Sequence, residues 1–161
     1  MLATSDIEDG QGAGAVAVAT TSALVVLRDG RLQWRRRWHE LDQGTWDGDD
    51  QVLRLQGVDG WRAAVHLGED GRLALPVAVR DRVQASVVAT REATLGDGPT
   101  VRVSVRQVQG GPDAGRLVVQ EVAPPGARMT PELRGLVLRR RREVEELVGL
   151  PRSAEDAAPD G

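Results

Sequence analysis

The sequence predicts a mainly β, strand-rich α+β chain, an antiparallel barrel or sandwich with one amphipathic C-terminal capping helix. Three observations predict it. Short apolar runs recur roughly every 8–12 residues and are separated by Asp/Gly turns, which is the spacing of sandwiches and barrels rather than of strand–helix alternation. All four Trp lie between Gln33 and Trp61 in a chain without Phe or Tyr, so large-ring burial, and with it the packing centre, concentrates there. After Pro124-Pro125-Gly126 the apolar period changes from strand-like to helical.

Taken in order, Ala15–Thr20 and Ala23–Leu27 are apolar runs that read as an antiparallel pair, the second closed by Asp29-Gly30, a hairpin turn signal. A third strand follows, with Leu32, Trp34, Arg36 and Trp38 on one face and Gln33, Arg35, Arg37 and His39 on the other. Arg36 is expected to stack between Trp34 and Trp38 or to reach past them to solvent. A segment beginning at Trp46 turns at Gly48-Asp49-Asp50 and continues as a strand over Gln51–Gln56, and another strand runs over Trp61–Leu67. Pro76 is expected to open a short helix through Val83, with Val79 and Val83 on one face and Arg80-Asp81-Arg82 in water. Strands are predicted over Ala85–Thr90, Val101–Arg106 and Leu117–Val122; in the middle one Val101, Val103 and Val105 are buried and Arg102, Ser104 and Arg106 wet. Thr130 caps the final helix and Pro131 opens it. Leu133, Leu136, Val137, Val144, Leu147 and Val148 form its apolar stripe, and Gly149-Leu150-Pro151 stops it.

Composition excludes several functions. The 21 basic residues are all Arg; Lys, Asn and Cys are absent and Ile7 is the only Ile, which is the mark of GC-rich codon usage rather than of selection for phosphate. A net charge of -3 and a pI near 5.4 speak against a nucleic-acid binder. Without Cys there are neither disulfides nor thiolate sites, and with only His39 and His66 no metal ligand set is expected. No apolar run reaches the ~18 residues of a membrane span, and Met1–Gly10 carries Asp6, Glu8 and Asp9 rather than a basic leader, so the expected location is cytoplasmic. The chain reads as a single domain over residues 1–150 and a disordered acidic tail over 151–161.

Within this pattern Val18–Leu27, then Trp38-His39-Glu40-Leu41, then Gly44-Thr45-Trp46-Asp47 look like the opening hairpins of PH-like (pleckstrin-homology-like) and GRAM-like bacterial domains. Together with Arg80–Val88 and the final helix, the chain resembles small actinobacterial PH-like proteins of uncharacterised function, over about Leu2 to Leu150. The resemblance implies a PH-like barrel or sandwich and recognition of a protein segment or an anionic headgroup; fold alone does not assign an activity.

The candidate sites differ in strength. Gly10-Gln11-Gly12-Ala13-Gly14 lacks the Gly-Lys-Ser/Thr ending of a nucleotide loop and precedes a strand, so it reads as a hairpin loop. His39, Glu40 and Asp42 do not converge on a strand, and Ser86 and Ser104 have no nucleophile context, so no catalytic residue is assigned and no enzyme is expected. Arg139-Arg140-Arg141-Arg142 is explained by helix pairs Arg139–Glu143, Arg141–Glu145 and Arg142–Glu146. Arg35, Arg36, Arg37 and His39 remain as the candidate anion- or partner-binding patch. The expected role is a non-enzymatic binding or scaffold module without cofactor that recognises a protein partner, with an anionic lipid surface as the alternative. The chain start reads as the clipped end of a first strand, so the strand beginning at Ala15 is expected to have a short or incomplete neighbour, and the chain either to be less stable than an upstream-extended one or to self-associate through that edge into a homo-oligomer.

Overall fold

The computed structural model describes residues 1–8 and 14–151, which contain ten strands in three antiparallel sheets, one 3-10 turn and two α-helices. The chain is therefore mainly β, as predicted, but among the described residues no sheet closes into a barrel. They form two compact units, Met1–Val87 with Gln107–Leu117, and Val88–Arg106 with the described part of Val118–Gly161. The tail beyond Pro151 and most of the Gly10–Gly14 loop lie outside the described residues.

In the first unit, β1 (Ala3–Asp6), β2 (Ala15–Ala19), β3 (Ala23–Arg28) and β4 (Arg31–Arg37) form a sheet in that order. Ala15, Ala17 and Ala19 are buried while Val16 and Val18 are half-buried, the two-residue period of a strand with one face on the core. The β3–β4 hairpin turns at Asp29 (φ 50°) and Gly30 (φ 73°), both left-handed as a type I′ turn requires. β2 does not lack a neighbour: β1 pairs with it from Ala3–Ala19 to Asp6–Val16, and the N–H groups of Leu2 and Ile7 donate to Ala19 and Ala15 carbonyls (2.8 and 2.9 Å).

A second sheet follows, β5 (Leu41–Asp47), β6 (Val52–Gly57) and β7 (Arg62–His66), joined to the first by a bridge between Ile7 and Leu67. Asp47 Oδ1 accepts from the Asp49 and Asp50 N–H groups (3.2 Å each), an Asx-type turn at the predicted place. Helix α1 (Ala74–Ser86) begins two residues before Pro76 and runs three past Val83, displacing the start of the next strand to Val87. It buries Leu75, Val79 and Val83 and packs on β5, β1 and β2, so it covers both sheets of this unit. Gly44 in β5 makes this approach feasible, because a Cβ there would stand 2.7 Å from Val79 Cγ1.

The largest departure from the sequence reading is at Trp38. The third strand ends at Arg37, and Trp38–Glu40 form a 3-10 turn in which Glu40 Oε2 accepts the Arg37 N–H (2.8 Å) and the Leu41 N–H returns to the Trp38 carbonyl. Continued extension would carry Trp38 along the sheet; the turn swings it into the core, where it is fully buried and its Nε1–H donates to the Thr20 carbonyl (3.0 Å). Leu24, Leu41, Leu53, Leu67, Leu75 and Val79 belong to the same cluster.

The second unit contains β8 (Val87–Ala93), β9 (Val101–Gln107), β10 (Leu117–Val122) and helix α2 (Pro131–Leu147), with β9 central. Val101, Val103 and Val105 are buried as predicted, but so are Ser104 and Arg106, because a central strand can be covered on both faces. Ser104 satisfies its hydroxyl with Thr90 Oγ1 (3.0 Å). Thr130 Oγ1 caps α2 by accepting the Leu133 N–H (3.2 Å), and Gly149 leaves it at φ 70°. The buried stripe is Leu133, Val137, Val144 and Glu145, whereas Leu147 is exposed. Arg141 makes the expected pair with Glu145 (3.1 Å), while Glu143 is taken by Arg140 (2.8 Å) rather than Arg139. Arg140 Nε also donates to the Glu92 carbonyl (2.9 Å), tying α2 to β8.

Trp38→Ala is expected to cost about 3–5 kcal/mol in denaturant unfolding, since it removes a large buried ring and leaves the Thr20 carbonyl unpaired. Gly44→Val should cost about 1–3 kcal/mol by overpacking against Val79. Unchanged midpoints for both would place the core elsewhere.

Candidate functional site

The candidate patch starts on β4, where backbone alternation sends Trp34 and Arg36 to one face and Arg35 and Arg37 to the other. The four sequence-predicted residues end in four environments. Arg35 is exposed, and among the described residues it has no ion pair. Arg36 is half-buried; its Nη1 lies 2.9 Å from Asp59 Oδ2, and its guanidinium carbon stands 4.5 Å from the Trp61 ring centroid. Trp61 in turn meets Trp34 edge to face with centroids 5.1 Å apart. Arg36 therefore stacks on Trp61, 25 residues away in sequence, and not between Trp34 and Trp38, because Trp38 has left the strand for the core. Cation–π contact at such a half-exposed site contributes about 0.5–1 kcal/mol.

Arg37 makes the strongest of these contacts. Its two terminal nitrogens grip both oxygens of Asp113 (3.1 and 2.5 Å), and Nη2 also donates to the Gly110 carbonyl (3.3 Å). This fork-to-fork geometry gives a charge-assisted pair across 76 residues of sequence and anchors the Gln107–Leu117 segment within the first unit. The Arg37 contact, helped by Arg116, holds the Asp113 carboxyl far below the usual carboxylate range, and Asp113 in turn raises the Arg37 guanidinium. Asp59 is likewise held low, chiefly by the Trp61 N–H it accepts (3.1 Å) and then by Arg36.

His39 lies in the 3-10 turn and is buried, with 7% of its surface exposed. Burial lowers its pKa, and the adjacent Arg37 charge adds to this, against the opposing pull of Glu40. It is thus held neutral inside the fold. Ser86 is buried and donates to the Val83 carbonyl (2.6 Å), a local helix-end bond. Among the described residues no group of three or more His, Asp or Glu is arranged to hold a metal ion, and no helix is long and apolar enough to cross a membrane.

The structure therefore separates the Arg run. Arg36 and Arg37 are each matched to one carboxylate, His39 is inside, and Arg35 remains free. Asp59 and Asp113 are the residues sequence reasoning missed: both stand next to turn glycines and prolines, in Asp59-Gly60 and Pro112-Asp113, and read there as turn formers. Arg31, also exposed and without an ion pair among the described residues, joins Arg35 as a second open cation on β4. Two open depressions lie elsewhere on this unit. One, of about 590 Å³, is lined by Gln43, Thr45, Arg54 and Arg62 on the outer face of β5–β7. The other, of about 660 Å³, lies between Leu2 and α1 residues Ala74, Val77 and Ala85.

These shifts set the acid response. His39 has its folded pKa lowered from about 6.5, so the unfolded chain takes up the proton first and stability falls as pH drops through about 6.5, levelling once the folded imidazole is also charged. Asp113 contributes stability above the ordinary carboxylate range of about pH 4, which is lost as pH falls through its depressed folded value. His39→Gln should flatten the upper limb alone. Asp113→Asn should lower stability near neutral pH and converge with the parent chain below about pH 4. Parallel stability–pH curves for all three chains would contradict both assignments. Comparison with family models, with curated proteins and with solved structures finds no match to this chain.

Proposed function

We propose that this chain is a non-enzymatic binding or scaffold module of PH-like architecture that recognises a protein partner at β4. The observation that carries the reading is the half-buried Trp34–Trp61–Arg36 stack, clamped by Asp59 beside the terminal strand of a sheet. Trp and Arg dominate the energetics of protein interfaces because they bring large area and directional charge with little rotamer freedom left to lose once they are held in place. Here the ion pair and the ring contact hold them before any partner arrives. The PH-like part of the reading is supported by a four-stranded and a three-stranded sheet with a helix over both, although that helix is α1 and not the C-terminal helix to which the resemblance assigns the capping position.

One observation favours a second reading, peripheral binding to an anionic membrane: Arg31 and Arg35 are open cations flanking Leu32, which is 59% exposed. Basic side chains around an apolar tip suit an anionic surface, and such binding weakens as salt rises.

A photo-crosslinking amino acid in place of Leu32, in the native host, is expected to trap a discrete protein that a control at exposed Asp97 does not. Absence of any such adduct, together with salt-sensitive co-sedimentation with phosphatidylserine vesicles, would replace the protein-partner reading by the membrane reading.

A further inference from the structure

We infer that β4 receives an extended acidic segment of another protein as a fifth strand of the first sheet; this rests on the protein-partner reading and names the partner's chemistry. Among the described residues β4 pairs with β3 alone, so its other edge leaves backbone N–H and C=O groups directed away from the sheet; the register shifts between Val26 and Leu27, which places Arg31 on the face of Trp34 and Arg35 on the opposite face. The far end of the strand is occupied, since Arg37 holds Asp113 and Arg36 holds Asp59. Arg31–Arg35 is the open stretch; Arg31, Leu32, Gln33 and Arg35 are exposed and Trp34 is half-buried.

Open strand edges usually carry a device against pairing with their own kind. In β4 it is charge. A second copy laid antiparallel along this edge would bring its own Arg31 and Arg35 alongside the same two guanidinium groups, a like-charge approach that disfavours the pair. The same charges attract a strand bearing carboxylates, because neither Arg is matched by a carboxylate within the described residues. Specificity thus comes from repulsion of one partner as much as attraction of the other. Backbone hydrogen bonds would supply affinity, the two Arg, one on each face of the strand, the choice of charge, and the Trp34–Trp61 surface an apolar contact on the face of Arg31.

The test uses the full chain, a Glu-rich peptide with carboxylates on both faces of the extended strand as probe and a Lys-rich peptide of the same pattern and length as control. Amide shifts and slowed amide exchange confined to Arg31–Arg35 are expected with the acidic probe only, weakening with salt. Arg31→Glu combined with Arg35→Glu, both exposed and so without effect on the melting temperature, should weaken the acidic probe roughly tenfold or more and admit the basic one. Three results overturn the inference: shifts from the acidic probe that lie away from β4, unchanged affinity in the reversed variant, or perturbation of these amides by phosphatidylserine vesicles but not by the peptide. If the peptide fails while the adduct from position 32 persists, strand addition is wrong and the binding-module reading stands.

Discussion

Everything in the first unit depends on burying one indole at the corner between two sheets. A chain that lacks Phe and Tyr has few ways to fill a core, and Trp38 fills this one. An extended strand cannot place it there. The 3-10 turn at Trp38–Glu40 does so by breaking the strand, and that break is what passes the chain from β4 into β5. The cost of breaking the ladder is met locally: Glu40 takes the Arg37 N–H, Ser22 takes the Trp38 N–H (3.4 Å), and the indole N–H finds Thr20. Burial and hydrogen-bond satisfaction point the same way, which is the condition for a single conformation.

The placement of charge follows from this corner. Once Trp38 turns inward, Arg37 stands at the last strand position with its side chain toward Asp113, and Arg36 is left over Trp61 rather than over Trp38. Both guanidinium groups become structural. The function proposed for β4 therefore draws on the cations further back along the strand, at Arg31 and Arg35, and on a ring surface already fixed by contacts within the molecule. Such a surface loses little side-chain entropy on binding, an advantage for a module that works by recognition.

The local features of the fold were legible because each is dictated by a few neighbouring residues. Asp29-Gly30 can only be a left-handed turn, the valines of β9 alternate, and Thr130-Pro131 writes a helix start. The features that were not legible depend on distant partners. Gln33–His39 has a clean two-residue alternation, and nothing local says that Trp38 gains more by leaving it. Ser104 and Arg106 look solvated by period alone, yet both are buried on β9, the central strand of its sheet. Helix α1 was foreseen from Val79 and Val83, but its capping role over two sheets rests on contacts with β1, β2 and β5 that no local pattern encodes. The candidate patch divides likewise: four residues were singled out by charge and aromatic neighbours, while their matching carboxylates, Asp59 and Asp113, lie 23 and 76 residues away.

The most direct measurement of the central claim is hydrogen exchange at the Trp38 indole Nε1–H, followed by NMR across sub-denaturing denaturant concentrations. If the corner is the keystone, this proton exchanges only when the first unit unfolds as a whole, with the same free energy and denaturant slope as its most protected backbone amides. Exchange through a smaller, denaturant-independent opening, while the amides of β3 and β6 stay protected, would show that the sheets hold without Trp38 and would contradict the account.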